Sequence, residues 1–367
     1  MKFYLLIAFI LSSSVSHAQI SAGVRDSIFS KILNEKRQLM VYLPKGVKEG
    51  KDSSMRYPVL YVLDGNTHFL SVAGMVDQLS DQGGNAVIPK MIVVCILNTN
   101  RTRDLTPYHI DSSELLPADM AKETGGAENF TRCIAEEIIP YINAHYPVTE
   151  YRGLVGHSFG GIFALNVLAK HKELFEDYIV IDPSTWYDER KFSTSVLDSL
   201  NKGNYNKKSL YVAIANTANE KDTSKVQLMK SSSVEHEKSI IEFCNKAKLM
   251  KKSGIQFNYE YYPNDDHSSV PLIATYNGLR NIFKEYRFSF EYLFEKDFSP
   301  LTSIPSFYEK LSKKVRHTMK PSSEMIELCD LYYTFNKDEK RKAETRQLYN
   351  KLYPEKAERY FSKSSNE

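Results

Sequence analysis

The chain has 367 residues, of which 42% are hydrophobic and 25% charged, and its formal net charge is +3. This balance is typical of a globular protein with a large buried core, and the length suggests one large domain with a smaller one. So small a net charge, spread along the chain, does not favour a nucleic-acid-binding protein. No internal apolar run reaches the roughly 18 residues that a membrane-spanning helix needs.

The first residues indicate export. Lys2 precedes an apolar run at residues 3–11, and Ser16 and Ala18 are the small residues expected around a cleavage site. The pattern predicts a secretory signal peptide over residues 1–18 and a periplasmic or extracellular protein that begins at Gln19. A buried N-terminal helix is the alternative. No cysteine follows the predicted cut, so a lipid anchor is not predicted.

Short apolar or β-branched runs predict a series of strands separated by helices. The strands are predicted at residues 39–43, 59–63, 91–97, 154–155, 178–181, 210–214 and 257–262. Apolar residues at helical spacing predict helices over 130–144 and 162–168, and a further helix is expected over 271–283. Such alternation favours an α/β fold with a mainly parallel sheet flanked by helices.

After about residue 286 the strand pattern stops. Apolar residues at helical spacing predict helices near 307–315, 325–332 and 348–352, with a loose end from Ser362. We therefore expect one domain over 19–290 and a small helical C-terminal domain over 291–367. Because that small domain has few apolar residues, it is predicted to dock on the larger one.

The cysteines do not predict a disulfide framework or a metal site. Cys95, Cys133, Cys244 and Cys329 are far apart, and no close pair of cysteine or histidine residues has zinc-binding spacing. Buried, unpaired thiols are the favoured interpretation, with a disulfide framework as the alternative.

The sharpest motif is Gly156-His157-Ser158-Phe159-Gly160, which lies between a predicted strand and a predicted helix. In this context G-x-S-x-G predicts a nucleophile elbow, a strained turn that exposes a serine hydroxyl at the carboxyl end of a sheet. The sequence therefore predicts Ser158 as the nucleophile of a serine hydrolase.

A serine nucleophile needs a base, and in this fold the chain order is serine, acid, histidine. His267 lies in a polar turn after the last predicted strand, which makes it the predicted base. The orienting acid is expected after the preceding strand, where Glu220 is the first choice and Asp222 the second.

Two backbone N–H groups are needed to hold the oxyanion that forms during acyl transfer. The N–H of Phe159, the residue after the nucleophile, is the first candidate. The second is expected in the polar turn after the strand at 59–63, at Gly65 or Asn66.

Several ordered segments resemble an esterase family of α/β-hydrolases that includes esterase D-like, feruloyl, acetylxylan and enterochelin (siderophore) esterases. The segments are Y-P-V-L-Y-V-L-D-G at 57–65, R-T-R-D-L-T-P at 101–107, G-G-A-E-N-F at 125–130, D-P-S-T-W-Y at 182–187 and H-S-S-V-P-L at 267–272. The fourth is similar to S-P-S-x-W-W of the siderophore branch, from which Asp182 and Tyr187 depart. The C-terminal helices resemble a short tetratricopeptide-like tail.

The resemblance implies a serine carboxylic-ester hydrolase that works through an acyl-enzyme without cofactor or metal. It implies a siderophore, feruloyl or acetyl-sugar ester as the small-molecule substrate, and some members of this branch lack the acid. Residues placed near the substrate are Arg101, Arg103, His157 and Trp186. The alternatives are a peptidase or a catalytically silent exported binding protein. No nucleic-acid partner is expected, and any contact with another protein is expected at the C-terminal helices.

Overall fold

The computed structural model describes residues 22–44, 47, 56–80, 86–231, 234–315 and 318–364. The predicted signal peptide lies outside the described residues. Within those ranges, no helix combines the length and the apolar character that crossing a membrane requires.

Eight strands form one sheet. They are β1 (Val24–Ser30), β2 (Glu35–Tyr42), β3 (Tyr57–Val62), β4 (Ile92–Ile96), β5 (Val148–His157), β6 (Asp177–Ile181), β7 (Ser209–Ala215) and β8 (Gln256–Tyr262). Their order is β1-β2-β4-β3-β5-β6-β7-β8. The six strands from β3 to β8 run parallel, and β2 is antiparallel to both of its neighbours, β1 and β4. The mainly parallel sheet predicted from the sequence is confirmed, with β1 as an additional strand.

Fourteen α-helices lie within the described residues. They are α1 (Gly65–Ser80), α2 (Arg101–Leu105), α3 (Ala118–Lys122), α4 (Ala127–Cys133), α5 (Ile139–His145), α6 (Phe159–Lys170), α7 (Lys191–Lys202), α8 (Thr223–Leu228), α9 (Glu235–Ala247), α10 (Val270–Ile282), α11 (Pro300–Val315), α12 (Ser323–Phe335), α13 (Glu339–Leu352) and α14 (Pro354–Ser364). A π-helical turn, Ile134–Ile138, joins α4 to α5, so the helix predicted over 130–144 is one continuous element. Short 3-10 turns occur at Lys251–Ser253 and Phe290–Phe294.

Both faces of the sheet are covered, which explains why its central strands are apolar throughout. Along β3, Val59 and Tyr61 face the apolar cluster beneath α4 to α7 and α9, whereas Leu60 and Val62 face the cluster beneath α1 and α10. This alternation is the two-residue period of a strand. The packed layers hold the carboxyl ends of the parallel strands along one edge, where the predicted site lies.

The C-terminal helices form a third apolar cluster, which includes Leu293, Tyr333 and Tyr349. The end of α11 contacts the part of the chain that forms the sheet: Val315 lies in the α1/α10 cluster, and Lys314 Nζ donates to the carbonyl of Ile282 at 3.0 Å. α14 was not predicted, since the sequence suggested a loose end near its last residues. The boundary at residue 290 stays a prediction.

All four cysteines are free and buried, as expected. Cys133 and Cys244 lie in the first cluster, Cys95 in the second and Cys329 in the C-terminal cluster. Burial raises the pKa of the Cys133 thiol to about 11 and that of Cys329 to about 12. The thiols are therefore protonated and shielded from solvent at neutral pH.

Candidate active site

Ser158 sits in the turn between β5 and α6, with φ 60° and ψ −115°. A non-glycine residue in this region stores roughly 1–3 kcal/mol of strain. The turn is closed by small neighbours, because a β-carbon at Gly156 would lie 2.1 Å from the carbonyl oxygen of Gly160. The structure thus forms the predicted strand-turn-helix geometry around Ser158.

His267 lies in the turn between β8 and α10, and its Nδ1 atom is 2.5 Å from Oδ2 of Asp182. Asp182 directly follows β6 and is fully buried, and its Oδ1 accepts the backbone N–H of Ala215 at 2.9 Å. Because an ionised carboxylate only accepts hydrogen bonds, His267 Nδ1 carries the proton and Nε2 keeps its lone pair. His267 is therefore held in the tautomer that a general base requires.

The environment of Asp182 favours its ionised form. Burial by itself would raise the pKa of Asp182, but the hydrogen bonds and charges of His236 and His267 outweigh it and hold the pKa well below its usual range. A carboxylate in this state stabilises the positive charge that His267 acquires when it takes a proton.

Glu220, the acid predicted from the sequence, does not contact His267 in the structure. Its Oε1 accepts the N–H of Asp222 at 3.0 Å, and its carbonyl accepts the hydroxyl of Tyr261 at 2.5 Å. Asp222, the second choice, caps α8 by accepting the N–H of Ser224 at 2.9 Å. Both Glu220 and Asp222 form hydrogen bonds within the loop that follows β7. The carboxylate that contacts His267 is that of Asp182, at the end of the neighbouring strand β6.

Asp182 keeps the chain order of serine, acid and histidine, but it follows β6 rather than β7. The two strands are adjacent and parallel, so their carboxyl ends lie side by side and either one can supply the acid. The available sequence signal was the aspartate at position 182, where the siderophore-esterase pattern has serine.

The Ser158 hydroxyl has one hydrogen-bond partner within the described ranges, the hydroxyl of Ser184, at an Oγ–Oγ distance of 3.4 Å. The backbone N–H of Ser184 also donates to the Ser158 carbonyl at 3.2 Å. Among the described residues no hydrogen bond joins Ser158 Oγ to His267, and such catalytic bonds commonly tighten only when substrate is bound.

The candidate oxyanion donors lie at the starts of two helices. Phe159 begins α6 and Gly65 begins α1, with Asn66 next in α1. The first N–H groups of a helix have no acceptor within the helix and favour negative charge. Gly65 is tightly placed, since a β-carbon there would lie 2.9 Å from Cβ of Cys95.

Both arginines proposed as substrate ligands are engaged by carboxylates. Arg101 forms a two-point ion pair with Asp64, at 2.7 Å and 3.0 Å, and its guanidinium lies 5.5 Å from the centre of the Phe159 ring. Arg103 pairs with Glu35 and Asp104 at 2.8 Å and 2.7 Å. Arg101 is therefore beside the nucleophile turn, whereas the contacts of Arg103 tie α2 to β2.

His157 and Trp186 have more limited access to substrate than expected. The ring of His157 packs against that of His267 with centroids 4.5 Å apart, and its Nε2 is buried. Burial and then the nearby His267 lower the pKa of His157 to about 3, so it stays neutral. Trp186 is only 9% exposed and donates its indole N–H to His236 at 3.0 Å.

Comparison with known proteins places this chain in a family. The model of the family described as "Putative esterase" matches residues 30–286. Ferri-bacillibactin esterase BesA of Bacillus subtilis is 32% identical over 169 residues, which are 42% of this chain and 57% of BesA. A siderophore enterobactin esterase of Emericella nidulans is 28% identical over 170 residues, 43% of this chain and 56% of that protein. The chain thus spans a little over half the length of these curated relatives.

Among solved structures, the crystal structure of an IroE-like serine hydrolase from Shewanella oneidensis is similar over most of its length. It superposes with a TM-score of 0.75 and 31% sequence identity, covering 90% of this chain and 99% of that one. The share covered exceeds the sheet domain, so the likeness includes C-terminal helices as well.

Proposed function

The chain belongs to the Esterase family, and on that basis we propose that it is a serine carboxylic-ester hydrolase with Ser158 as nucleophile and His267 as base. The observation that carries the proposal is the pairing of a strained serine elbow with a histidine whose Nδ1–H is held 2.5 Å from a buried carboxylate. This arrangement leaves His267 Nε2 free to accept the proton of the serine hydroxyl.

In the first half of the reaction, Ser158 Oγ attacks the ester carbonyl carbon while its proton passes to His267 Nε2. The carbonyl oxygen becomes an oxyanion, for which we propose the N–H groups of Phe159 and of Gly65 or Asn66 as donors. The C–O bond of the ester then breaks, and the leaving alkoxide takes the proton from His267. Asp182 stabilises the imidazolium throughout this step.

The acyl group is then bound to Ser158 as an ester. A water molecule gives one proton to His267 Nε2 and attacks the acyl carbon, and the proton returns to Ser158 Oγ as the acid is released. Each group ends in its starting state, so the cycle needs no cofactor.

We propose siderophore esters as the first substrate class to test. The relatives at 32% and 28% identity are named as esterases of ferri-bacillibactin and of enterobactin. Arg101 supports an anionic substrate, because its guanidinium lies beside Phe159 and its side chain is 34% exposed. Arg103, tied to two carboxylates, is a weaker candidate for this contact.

The test is hydrolysis of an ester panel by the purified protein. The panel holds a cyclic catecholate siderophore, a feruloyl sugar, acetylated xylan, a plain acyl ester and a peptide amide. We expect esters to be cleaved and the amide to survive, with the siderophore preferred. Cleavage of the amide at a comparable rate indicates a peptidase, and preference for a sugar ester redirects the substrate assignment.

Ser158→Ala is expected to abolish ester hydrolysis and labelling by a fluorophosphonate, since no other group replaces the nucleophile. Ser195→Ala, at an exposed position of α7, is the matched control. Residual activity of Ser158→Ala within tenfold of the wild type excludes the assignment. A wild-type protein that neither cleaves esters nor reacts with the probe favours the alternative of a catalytically silent binding protein.

Export and protein contact through the C-terminal helices belong to the same proposal. The signal pattern at residues 1–18 supports export. Mass spectrometry of the protein recovered from cell fractions tests it, with a mature chain starting at Gln19 as the expected result. A chain that keeps Met1 in the cytoplasmic fraction contradicts export.

A further inference from the structure

Asp182 holds two histidines. Its Oδ2 atom lies 2.5 Å from His267 Nδ1 and 2.8 Å from Nε2 of His236, which is in the first turn of α9. His236 makes no contact of its own with the nucleophile in the mechanism above. Its side chain is 18% exposed, so the Asp182–His236 bond is largely shielded from water.

The protonation state of His236 follows from its second partner. Trp186 donates its indole N–H to His236 Nδ1 at 3.0 Å, and an indole nitrogen can only donate. Nδ1 is therefore unprotonated and Nε2 carries the proton, which it donates to Asp182. Trp186 thus selects the tautomer of His236 in which the ring is a hydrogen-bond donor to the carboxylate.

The same bond argues against a metal ion at this place. One ligand atom from each of Asp182, His236 and His267 lies within 4.8 Å of the others, which is compatible with ion coordination by distance alone. A histidine nitrogen binds metal only through its lone pair. The lone pair of His236 is on Nδ1 and accepts from Trp186, so Nε2 is not a ligand in this arrangement.

The segment that carries Asp182 is tied to α9 at further points. Thr185 Oγ1 and Ser239 Oγ are 2.8 Å apart, and Arg190 forms an ion pair with Glu235. These contacts hold the start of α9 against the segment after β6, so the position of His236 does not depend on its contact with Asp182 alone.

We propose that His236 is a positioning residue of the hydrolase: it holds the Asp182 carboxylate in the orientation from which Oδ2 accepts the His267 Nδ1–H. Without His236, the carboxylate keeps the His267 bond at Oδ2 and the Ala215 N–H at Oδ1, and it loses one of its three hydrogen bonds. His267 is then less often aligned towards Ser158. The inference rests on the proposed function, because it concerns the same reaction.

Two substitutions separate the two hydrogen bonds of His236. In His236→Gln the amide NH₂ reaches the place of Nε2 and still donates to Asp182. In His236→Asn the shorter amide accepts from Trp186 at the place of Nδ1 but does not reach the carboxylate. His171→Gln is the control, since His171 Nε2 also lies 3.1 Å from a carboxylate, that of Glu128, outside the site.

We expect His236→Asn to lose kcat by about tenfold to a hundredfold, the range that corresponds to one hydrogen bond to a charged group. KM for a small ester should change by less than about threefold, because His236 does not touch substrate. His236→Gln should stay within about threefold of the wild type in kcat, as should His171→Gln. If His236 served only the stability of the fold, the Gln and Asn variants should have similar kcat values. Near-normal kcat with Gln and reduced kcat with Asn therefore indicates a positioning role.

The result that overturns the inference is an equal effect of Gln and Asn, whether both are active or both are impaired. Ser158→Ala is measured beside them, so that loss of the proposed function is distinguished from loss of the positioning role. If neither His236 variant folds, Trp186→Phe tests the tautomer of His236 on which the inference depends. It removes the indole N–H together with part of the ring, leaves His236 Nδ1 without its donor, and should make the enzyme more sensitive to Zn²⁺. Unchanged Zn²⁺ sensitivity together with unchanged kcat contradicts the tautomer argument.

Discussion

Asp182→Asn tests the acid that we propose in place of Glu220, on the basis of its contact with His267. The carboxylate accepts at both oxygens: Oδ2 faces the N–H groups of His236 and His267, and Oδ1 faces the N–H of Ala215. An amide of the same shape has one oxygen and one NH₂. Whichever way the amide turns, its NH₂ opposes a buried N–H donor.

The larger loss arises if NH₂ faces the histidines. His267 is then driven to the tautomer with its proton on Nε2, which has no lone pair for the Ser158 proton. In a serine protease triad this exchange costs about 10⁴-fold in kcat, or about 5 kcal/mol. In the other orientation the charge that stabilises the imidazolium is still lost, and an unsatisfied buried donor costs about 1–3 kcal/mol.

We therefore expect Asp182→Asn to lower kcat/KM for a small ester by about 10³-fold to 10⁴-fold. Glu220→Gln should remain within about threefold, since Glu220 serves only its own loop. The assay is steady-state hydrolysis together with the melting temperature of each variant. A well-folded Asp182→Asn that keeps kcat/KM within tenfold of the wild type indicates a Ser–His dyad. A large loss in Glu220→Gln instead restores the acid expected from the sequence.

Three further outcomes follow from packing and burial. Gly156→Ala should destabilise the fold by about 3 kcal/mol because its β-carbon would lie 2.1 Å from the Gly160 carbonyl, whereas Gly74→Ala, with open space, should be neutral or stabilising in urea denaturation. Burial raises the pKa of Asp177 to about 6, so the folded state binds this proton at pH values where the unfolded chain has lost it. The free energy of unfolding should therefore decrease as pH rises from about 4 to 6, and Asp177→Asn should reduce that decrease by up to about 3 kcal/mol. Truncation before Leu301 should lower the melting temperature because it exposes the surface of α10 that α11 covers, while turnover of a small ester persists. An equal loss of kcat on small and bulky esters, at an unchanged melting temperature, contradicts the prediction that the C-terminal helices dock on the rest of the protein.

The sequence was sufficient where local geometry sets the structure. The Ser158 turn needs a strand before it, a helix after it and glycines that allow close packing, and the sequence predicts all three. The parallel sheet was equally visible, because its buried strands are apolar throughout. β1 was not predicted, since Val24–Ser30 mixes charged and apolar residues at a partly exposed edge.

The partner of His267 was not visible, because it depends on contacts between distant segments. Asp182 and Glu220 follow adjacent strands, and only the course of each loop decides which carboxylate reaches the histidine. His236 lies in a charged stretch of sequence, between Glu235 and Glu237, which predicts only a solvated helix face. Nothing in the spacing of residues 182 and 236 reveals that the start of α9 lies on the buried acid.

The four buried cysteines can report on local unfolding of the three apolar clusters. Each of the three apolar clusters contains at least one cysteine, and burial raises the pKa of each thiol. A thiol in this state reacts with an alkylating reagent only when its cluster exposes it, so the labelling rate at each cysteine measures an opening equilibrium. Cys329 reports on the C-terminal helices, Cys95 on the face beneath α1 and α10, and Cys133 and Cys244 on the opposite face. The native chain thus reveals, without any introduced probe, whether the helical tail separates before the sheet does.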